Sequence, residues 1–311
     1  MIAHGLLRCT TGANHFAMRA EEVRHIARAD QMKRDAGEDG RAGFLKLGGQ
    51  TVPVFDLRHA LQLPEGDTAT ADRHIAITGD HRQLVGWLVD RIVRDSRAAA
   101  TLAPLPSFIG ASARRWLDGV AIGADEAPLL LINPRRLAPN REDADAFDDL
   151  APAFAVPPLA GRQPADPVAL VFSSAALPPS TINKYALSGR EVAAIVQDPT
   201  SLPVPGAAAH VGGIFMWRNV VVPIVDFQRA STPPAVNRRR LIARCHANGQ
   251  HSLIAITIDA DVLMHRPSAE NTLATEVACP RFASGVFELD GDKVALLDPG
   301  AIAGADLGLR H

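Results

Sequence analysis

At 311 residues the chain is too long for one small module and fits about two domains of ~150 residues each. Hydrophobic residues make up 47% and charged residues 21%, ordinary globular values that exclude a disordered, collagen-like or disulfide-scaffold chain. A formal net charge of −2 offers no global attraction to nucleic acid or an anionic membrane, and 5% aromatics is too few for a base-stacking platform.

In chain order, Met1–Gly12 holds an apolar stretch too short for a signal peptide, and no run of 18 apolar residues follows anywhere, so the chain reads as cytoplasmic. Ala20–Ala29 places Val23, Ile26 and Ala27 on one face and predicts a short helix. Gln50–Leu57 alternates around Val52, Val54 and Leu57, with Pro53 pointing to an edge or bulge position. His74–Ile77, Leu84–Val93 and Pro128–Ile132 are short runs of strand-forming residues. Residues 139–166 are rich in proline, alanine and carboxylates, which is linker chemistry. Beyond them, Val168–Phe172, Val220–Asp226, Leu241–Ala243, Leu253–Ile258 and Val294–Leu297 read as strands, and Ser188–Val196 as a second short helix around Val192 and Ile195. Polar turns such as Gly79-Asp80-His81 and Ala247-Asn248-Gly249 separate them. Many short strands at this spacing predict an all-β sandwich or small barrel.

The chain repeats itself. Val52-Pro53-Val54-Phe55-Asp56-Leu57-Arg58 reappears as Val222-Pro223-Ile224-Val225-Asp226-Phe227-Gln228, at an offset of 170. Gly43 pairs with Gly213, Glu22-Val23 with Glu191-Val192, Val89-Asp90 with Ile258-Asp259, and Gly119-Val120 with Gly285-Val286. Landmarks kept in one order with so little drift indicate a tandem domain duplication. The expected division is domain 1 at 1–138, linker 139–166 and a more divergent domain 2 at 167–311.

Catalytic constellations are missing from the sequence: there is no GxSxG, HExxH, P-loop or GxGxxG. Cys9, Cys245 and Cys279 are odd in number and widely spaced, which argues against zinc or a disulfide framework. No histidine stands four residues from another on a predicted helix; His246 and His251 flank a hairpin turn and read as solvated tips. Asp56 and Asp226 end apolar runs and read as acceptors of turn N–H groups. Trp87 and Trp116 read as core.

The ordered landmarks resemble the CheW-like domains of bacterial chemosensory arrays. The resemblance rests on Gly43 through Arg58, Val85-Gly86-Trp87-Leu88-Val89-Asp90 and Leu117-Asp118-Gly119-Val120, and in the second copy on Tyr185-Ala186-Leu187, Glu191-Val192, Gly213 through Asp226, and Gly285-Val286. It implies an all-β fold: two CheW-like domains, each of two small SH3-like five-stranded barrels with a few short helices. It implies a non-enzymatic adaptor without cofactor or metal. The implied partners are the regulatory domain of a CheA-type histidine kinase, methyl-accepting chemoreceptor tips and other CheW-like domains, with no nucleic acid and no membrane insertion.

The implied protein-binding residues are Val23, Ile26, Gly43, Val192, Ile195, Gly213 and Arg218. Read from the residues alone, Gly43 and Gly213 are turn glycines, the four aliphatic residues face the core, and Arg218 is a surface cation stacked on Trp217. The arginine of the family's Asn-Leu-Arg-Gly motif falls on Gly48 in the first copy, whereas the second keeps Arg218 before Asn219. Copy one is therefore expected to bind a different partner, or copy two alone to bind. An enzyme or small-ligand barrel with an unrecognised site is the alternative reading.

Overall fold

The computed structural model describes residues 5–12, 14–35, 37, 40–63, 72–79, 83–95, 101–106, 109–122, 128–137, 168–177, 182–227, 239–247, 250–259, 262–266 and 282–304. The expected linker, Cys279, Asp80-His81 and Asn248-Gly249 lie outside the described residues. The chain divides into two compact units, one drawn mainly from residues 1–152 and one mainly from 153–311.

Among the described residues the first unit has twelve strands: β1 (Leu6–Thr11), β2 (Asn14–Arg19), β3 (Val23–Arg28), β4 (Lys33–Arg34), β5 (Arg41–Leu47), β6 (Gln50–Asp56), β7 (His74–Gly79), β8 (Leu84–Val89), β9 (Arg91–Asp95), β10 (Thr101–Ala103), β11 (Leu117–Ile122) and β12 (Pro128–Ile132). They form two six-stranded sheets, ordered β9-β1-β2-β12-β11-β10 and β3-β7-β8-β6-β5-β4. Each has one short strand beyond the five expected. The second unit has β13 (Ala169–Ser173), β14 (Lys184–Ser188), β15 (Val192–Gln197), β16 (Val211–Trp217), β17 (Val220–Val225), β18 (Arg239–Ala247), β19 (Gln250–Ile258), β20 (Val262–His265), β21 (Ala283–Leu289) and β22 (Asp292–Leu297). Its five-stranded sheets run β20-β13-β14-β22-β21 and β15-β18-β19-β17-β16.

All four sheets share one plan. The third and fourth strands in each order pair in parallel: β2 with β12, β8 with β6, β14 with β22, and β19 with β17. The fifth strand bulges at a glycine each time, at Gly119, Gly43, Gly285 and Gly213. An extra residue in one strand bends and twists it, which curls a flat sheet toward a barrel. Gly43 and Gly213 thus stand inside strands at φ +159° and +150° rather than in turns. A Cβ on Gly43 would overlap the Lys33 carbonyl of β4, so the bulge requires glycine.

Neither expected helix forms: the first segment is a 3-10 turn, Ala20–Glu22, followed by a strand, and the second a turn followed by a strand. β3 and β15 occupy those segments, each with its own bulge, between Val23 and His25 and between Val192 and Ala194. In the first unit a single 3-10 turn, Ala29–Gln31, leads from β3 to β4, so one continuous stretch supplies both outer strands of its sheet. In the second unit Leu202 follows β15 and exchanges two backbone hydrogen bonds with Ile214 of β16, at 2.7 and 2.9 Å. Pro53 and Pro223 lie in inner strands, not edges, because β6 and β17 each have neighbours on both sides. The parallel pairing begins one residue later, at Val54 and Ile224, so each proline sits where its missing N–H has no ladder partner.

The strands explain the unbroken apolar runs. In β19, Ile254, Ile256 and Ile258 enter a core shared with Phe172, Tyr185, Leu187 and Val286 of the other sheet. The alternate residues Leu253 and Ala255 fill the interior of their own sheet with Phe215, Val222, Ile224 and Ile242. A strand buried on both faces carries no polar alternation. Trp87 and Trp116 are buried as expected, and Trp87 donates its indole N–H to Thr78 Oγ1 at 3.1 Å.

Candidate interaction surface

Large apolar side chains left in solvent fall on outer strands. The first strand in each sheet order carries one or more: Ile26 on β3, Ile195 on β15, Val93 on β9, and Leu263 with Met264 on β20. Leu102 stands on β10, also outermost. Ile26 is 41% exposed and Ile195 37%, at equivalent places in the two units. Local packing explains why. The inward positions of β3 hold Ala27, and those of β15 hold Ala193, Ala194 and Val196 beside Trp217. Small residues fit the tight interior of a curled sheet, and the bulky isoleucine is turned outward. Outer strands also present unpaired backbone groups, so they are the natural docking edges of such a fold.

The β16–β17 hairpin carries the second feature. Its two turn residues, Arg218 and Asn219, have φ +50° and +63°. The matching β5–β6 turn is Gly48-Gly49, at +54° and +83°. Two consecutive positive φ values make the tight mirror-image turn that suits strand twist. Glycine adopts it without strain and asparagine tolerates it, but arginine costs roughly 1–2 kcal/mol in this region. Arg218 is exposed, and its guanidinium lies 4.7 Å over the Trp217 ring. Trp217 in turn packs against the interior cluster of its sheet, so the cation stands on a fixed platform.

A charged cluster lies beneath the surface of the first unit. Asp90 accepts from the Gly12 N–H at 2.7 Å and pairs with Arg58 Nη2 at 2.6 Å and Arg73 Nε at 3.1 Å. Arg73 also grips Asp56 with two N–H donors, at 2.7 and 3.0 Å. Asp56 caps the short helix α1 (Leu57–Ala60) by accepting the Arg58 N–H at 2.8 Å. The sequence reading of Asp56 as a turn acceptor holds, but it missed this network. Asp90 is the hinge point between β8 of one sheet and β9 of the other, and its own N–H donates to the Thr10 carbonyl at 2.9 Å. Asp259 repeats that last bond to Ser173 in the second unit, at 3.0 Å.

The equivalent carboxyls Glu22 and Glu191 are both pushed above the usual glutamate range, first by burial. For Glu22 the Arg19 guanidinium opposes the shift; for Glu191 the nearby Asp298 carboxylate adds to it. Burial also pushes the Cys9 and Cys245 thiols up to about 12. Among the described residues no group of three or more His, Cys, Asp or Glu side chains is placed to hold a metal ion.

The structure therefore divides the expected site residues. Ile26, Ile195 and Arg218 are exposed. Val23 is half-buried, and Val192 packs against the core of the second unit. Gly43 and Gly213 are buried inside their bulges and offer no side chain to a partner. The expected core-facing role of Ile26 and Ile195 is wrong, for the packing reason above. Val93, Leu102, Leu263 and Met264 were not foreseen, because a short apolar strand carries no mark of which face its neighbours cover.

The CheW-like domain model matches residues 5–142 and again 181–306. The chain belongs to the CheW-like family. It is a tandem CheW-like protein whose two matches correspond to the sequence repeat. Among solved structures, the scaffolding protein TtCheW from Thermoanaerobacter tengcongensis is similar at 16% identity and a TM-score of 0.34, over 42% of this chain and 90% of that one. No curated protein matches. The CheW-like architecture accounts for the strand-rich units, and the family places the chain among chemotaxis scaffolds. Among the described residues no helix is long and apolar enough to cross a membrane.

Proposed function

We propose that this tandem CheW-like protein is a cytoplasmic, non-enzymatic adaptor that couples chemoreceptor tips to a CheA-type histidine kinase, in chemotaxis or pilus-based motility. Residues 139–166 join its two modules, and neither module binds nucleic acid. Arg218 carries the reading. An exposed arginine held in a strained backbone region, where the other copy uses glycine, points to a contact made by its side chain. Its planar fork suits a partner carboxylate. Ile26 and Ile195 supply the apolar part of each docking edge, and linking two modules raises the effective concentration of the second contact. Because Gly48 has no side chain, the first module binds a different partner or the same one more weakly.

The test is co-purification of the full chain with a CheA-type regulatory domain. The wild type is retained, and Ile195→Asp or Arg218→Gly reduces retention at least tenfold. Arg218→Gly keeps stability within ~1 kcal/mol, because relieved strain offsets the lost ring contact. No retention of the wild type, or full retention of both variants, overturns the proposal. Val192→Asp is unsuitable, since Val192 packs against the core.

A further inference from the structure

The β18–β19 hairpin sets His246 directly opposite His251 in its antiparallel register. Both rings are exposed. Their Nδ1 atoms lie 3.4 Å apart, with the ring planes at 63° and the centroids 4.5 Å apart. At that separation the two Nδ1 atoms are within hydrogen-bond reach, the ring tautomers deciding which donates. Two nitrogens bound to one tetrahedral ion at ~2.0–2.1 Å, with an angle near 109°, stand ~3.3–3.4 Å apart. A right-angled octahedral or square-planar bite would need only ~2.9 Å at the same bond length. The observed 3.4 Å matches the tetrahedral bite without movement of either strand.

We propose that His246 and His251 form a two-imidazole chelate for a divalent ion that favours tetrahedral coordination, Zn²⁺ foremost. Binding through Nδ1 needs both rings with their protons on Nε2, so that each Nδ1 lone pair faces the ion. The nine-residue strands on each side hold the two ligands in place before the metal arrives, which limits the entropy lost on binding. No third His, Cys, Asp or Glu joins them among the described residues, so the ion keeps two open positions for water or an outside ligand. The sequence alone hid this pair. A separation of five residues matches no helical ligand face, and only the hairpin register makes the two residues neighbours. The inference is independent of the adaptor reading.

The test titrates the tag-free full-length chain with Co²⁺, followed by visible absorption, and then displaces it with Zn²⁺. The expected result is saturable binding with the intense absorption of tetrahedral cobalt. His246→Ala and His251→Ala each weaken binding at least tenfold, whereas His15→Ala, an exposed histidine of the first unit, binds as the wild type does. Far-ultraviolet circular dichroism confirms that each variant is folded. Acidification that protonates imidazole releases the metal, because protons compete for the same lone pairs. Binding that survives either hairpin substitution, or only the weak absorption of octahedral cobalt, overturns the proposal.

Discussion

Replacing Asp90 by alanine removes the hydrogen-bond acceptor of the Gly12 N–H and of Arg58 Nη2, and the ion-pair partner of Arg73 Nε. The Asp90 side chain is 10% exposed, and those of Arg58 and Arg73 are 9% and 6% exposed. Arg73 keeps both bonds to Asp56 and one to the Leu88 carbonyl, so the larger loss falls on Arg58 and the Gly12 amide. Removing one partner of a buried ion pair costs about 3–5 kcal/mol. For a unit of about 150 residues each kcal/mol moves the melting temperature by ~2–4 °C, so about 4 kcal/mol predicts a fall of ~8–16 °C. Thermal unfolding followed by tryptophan fluorescence reads it, since Trp87 and Trp116 both lie in the first unit and Trp217→Phe silences the second. Asp90→Leu combined with Arg58→Met should recover most of the loss, because an apolar pair replaces the Arg58–Asp90 pair while Arg73 stays paired with Asp56. A fall under ~3 °C, or a double variant no better than the single one, would refute the reasoning.

Gly43→Ala forces a Cβ onto the Lys33 carbonyl at a φ that L-residues avoid, and should cost at least ~3 kcal/mol in urea titrations. Gly285→Ala, in the corresponding bulge of another sheet where nothing stands within 4 Å of the added carbon, should cost no more than ~1 kcal/mol; equal effects would show that the overlap and positive φ at Gly43 are not the cause. Glu191 has its pKa raised in the folded state, chiefly by burial, so its contribution to stability is present below the ordinary glutamate range and lost as pH rises through the folded value. Glu191→Gln should therefore melt higher than the wild type at pH 7 and no higher at pH 4, and a pH-independent difference would contradict this. In a Cys279→Ser background, native protein at pH 8 should not react with a thiol reagent, because the Cys9 and Cys245 thiols are buried and titrate only at about 12. Rapid labelling of either would show that it is accessible.

The duplication, the strand content and the buried tryptophans were legible in the sequence, because repeated landmarks and apolar runs survive without any knowledge of pairing. β3 and β15 were not. Val23 with Ile26 and Val192 with Ile195 stand three residues apart and imitate a helix face, whereas each strand contains a bulge that breaks simple alternation. The same substitution of alanine for bulk on the inner face made Ile26 and Ile195 read as core. The charged cluster escaped notice because Asp56, Arg58, Arg73 and Asp90 are brought together only when β6, the start of β7 and the end of β8 are adjacent. Within each unit the kinship of the two sheets was hidden too. It resides in strand order, parallel pairing and one bulged glycine, and shared topology leaves little trace in residue identity.

In the first unit, β3 to β8 form one sheet from an unbroken stretch, while β1 and β2 wait for β9 to β12 to finish the other. Phe16 finds its parallel partner Leu130 only about 110 residues later. During synthesis the β3–β8 sheet can therefore close while the ribosome is still making the last strands of the other sheet. The N-terminal hairpin must remain unclaimed for that interval, with Phe16 and Met18 bare. Chaperone capture and truncation products should concentrate at this stage of the nascent chain's life.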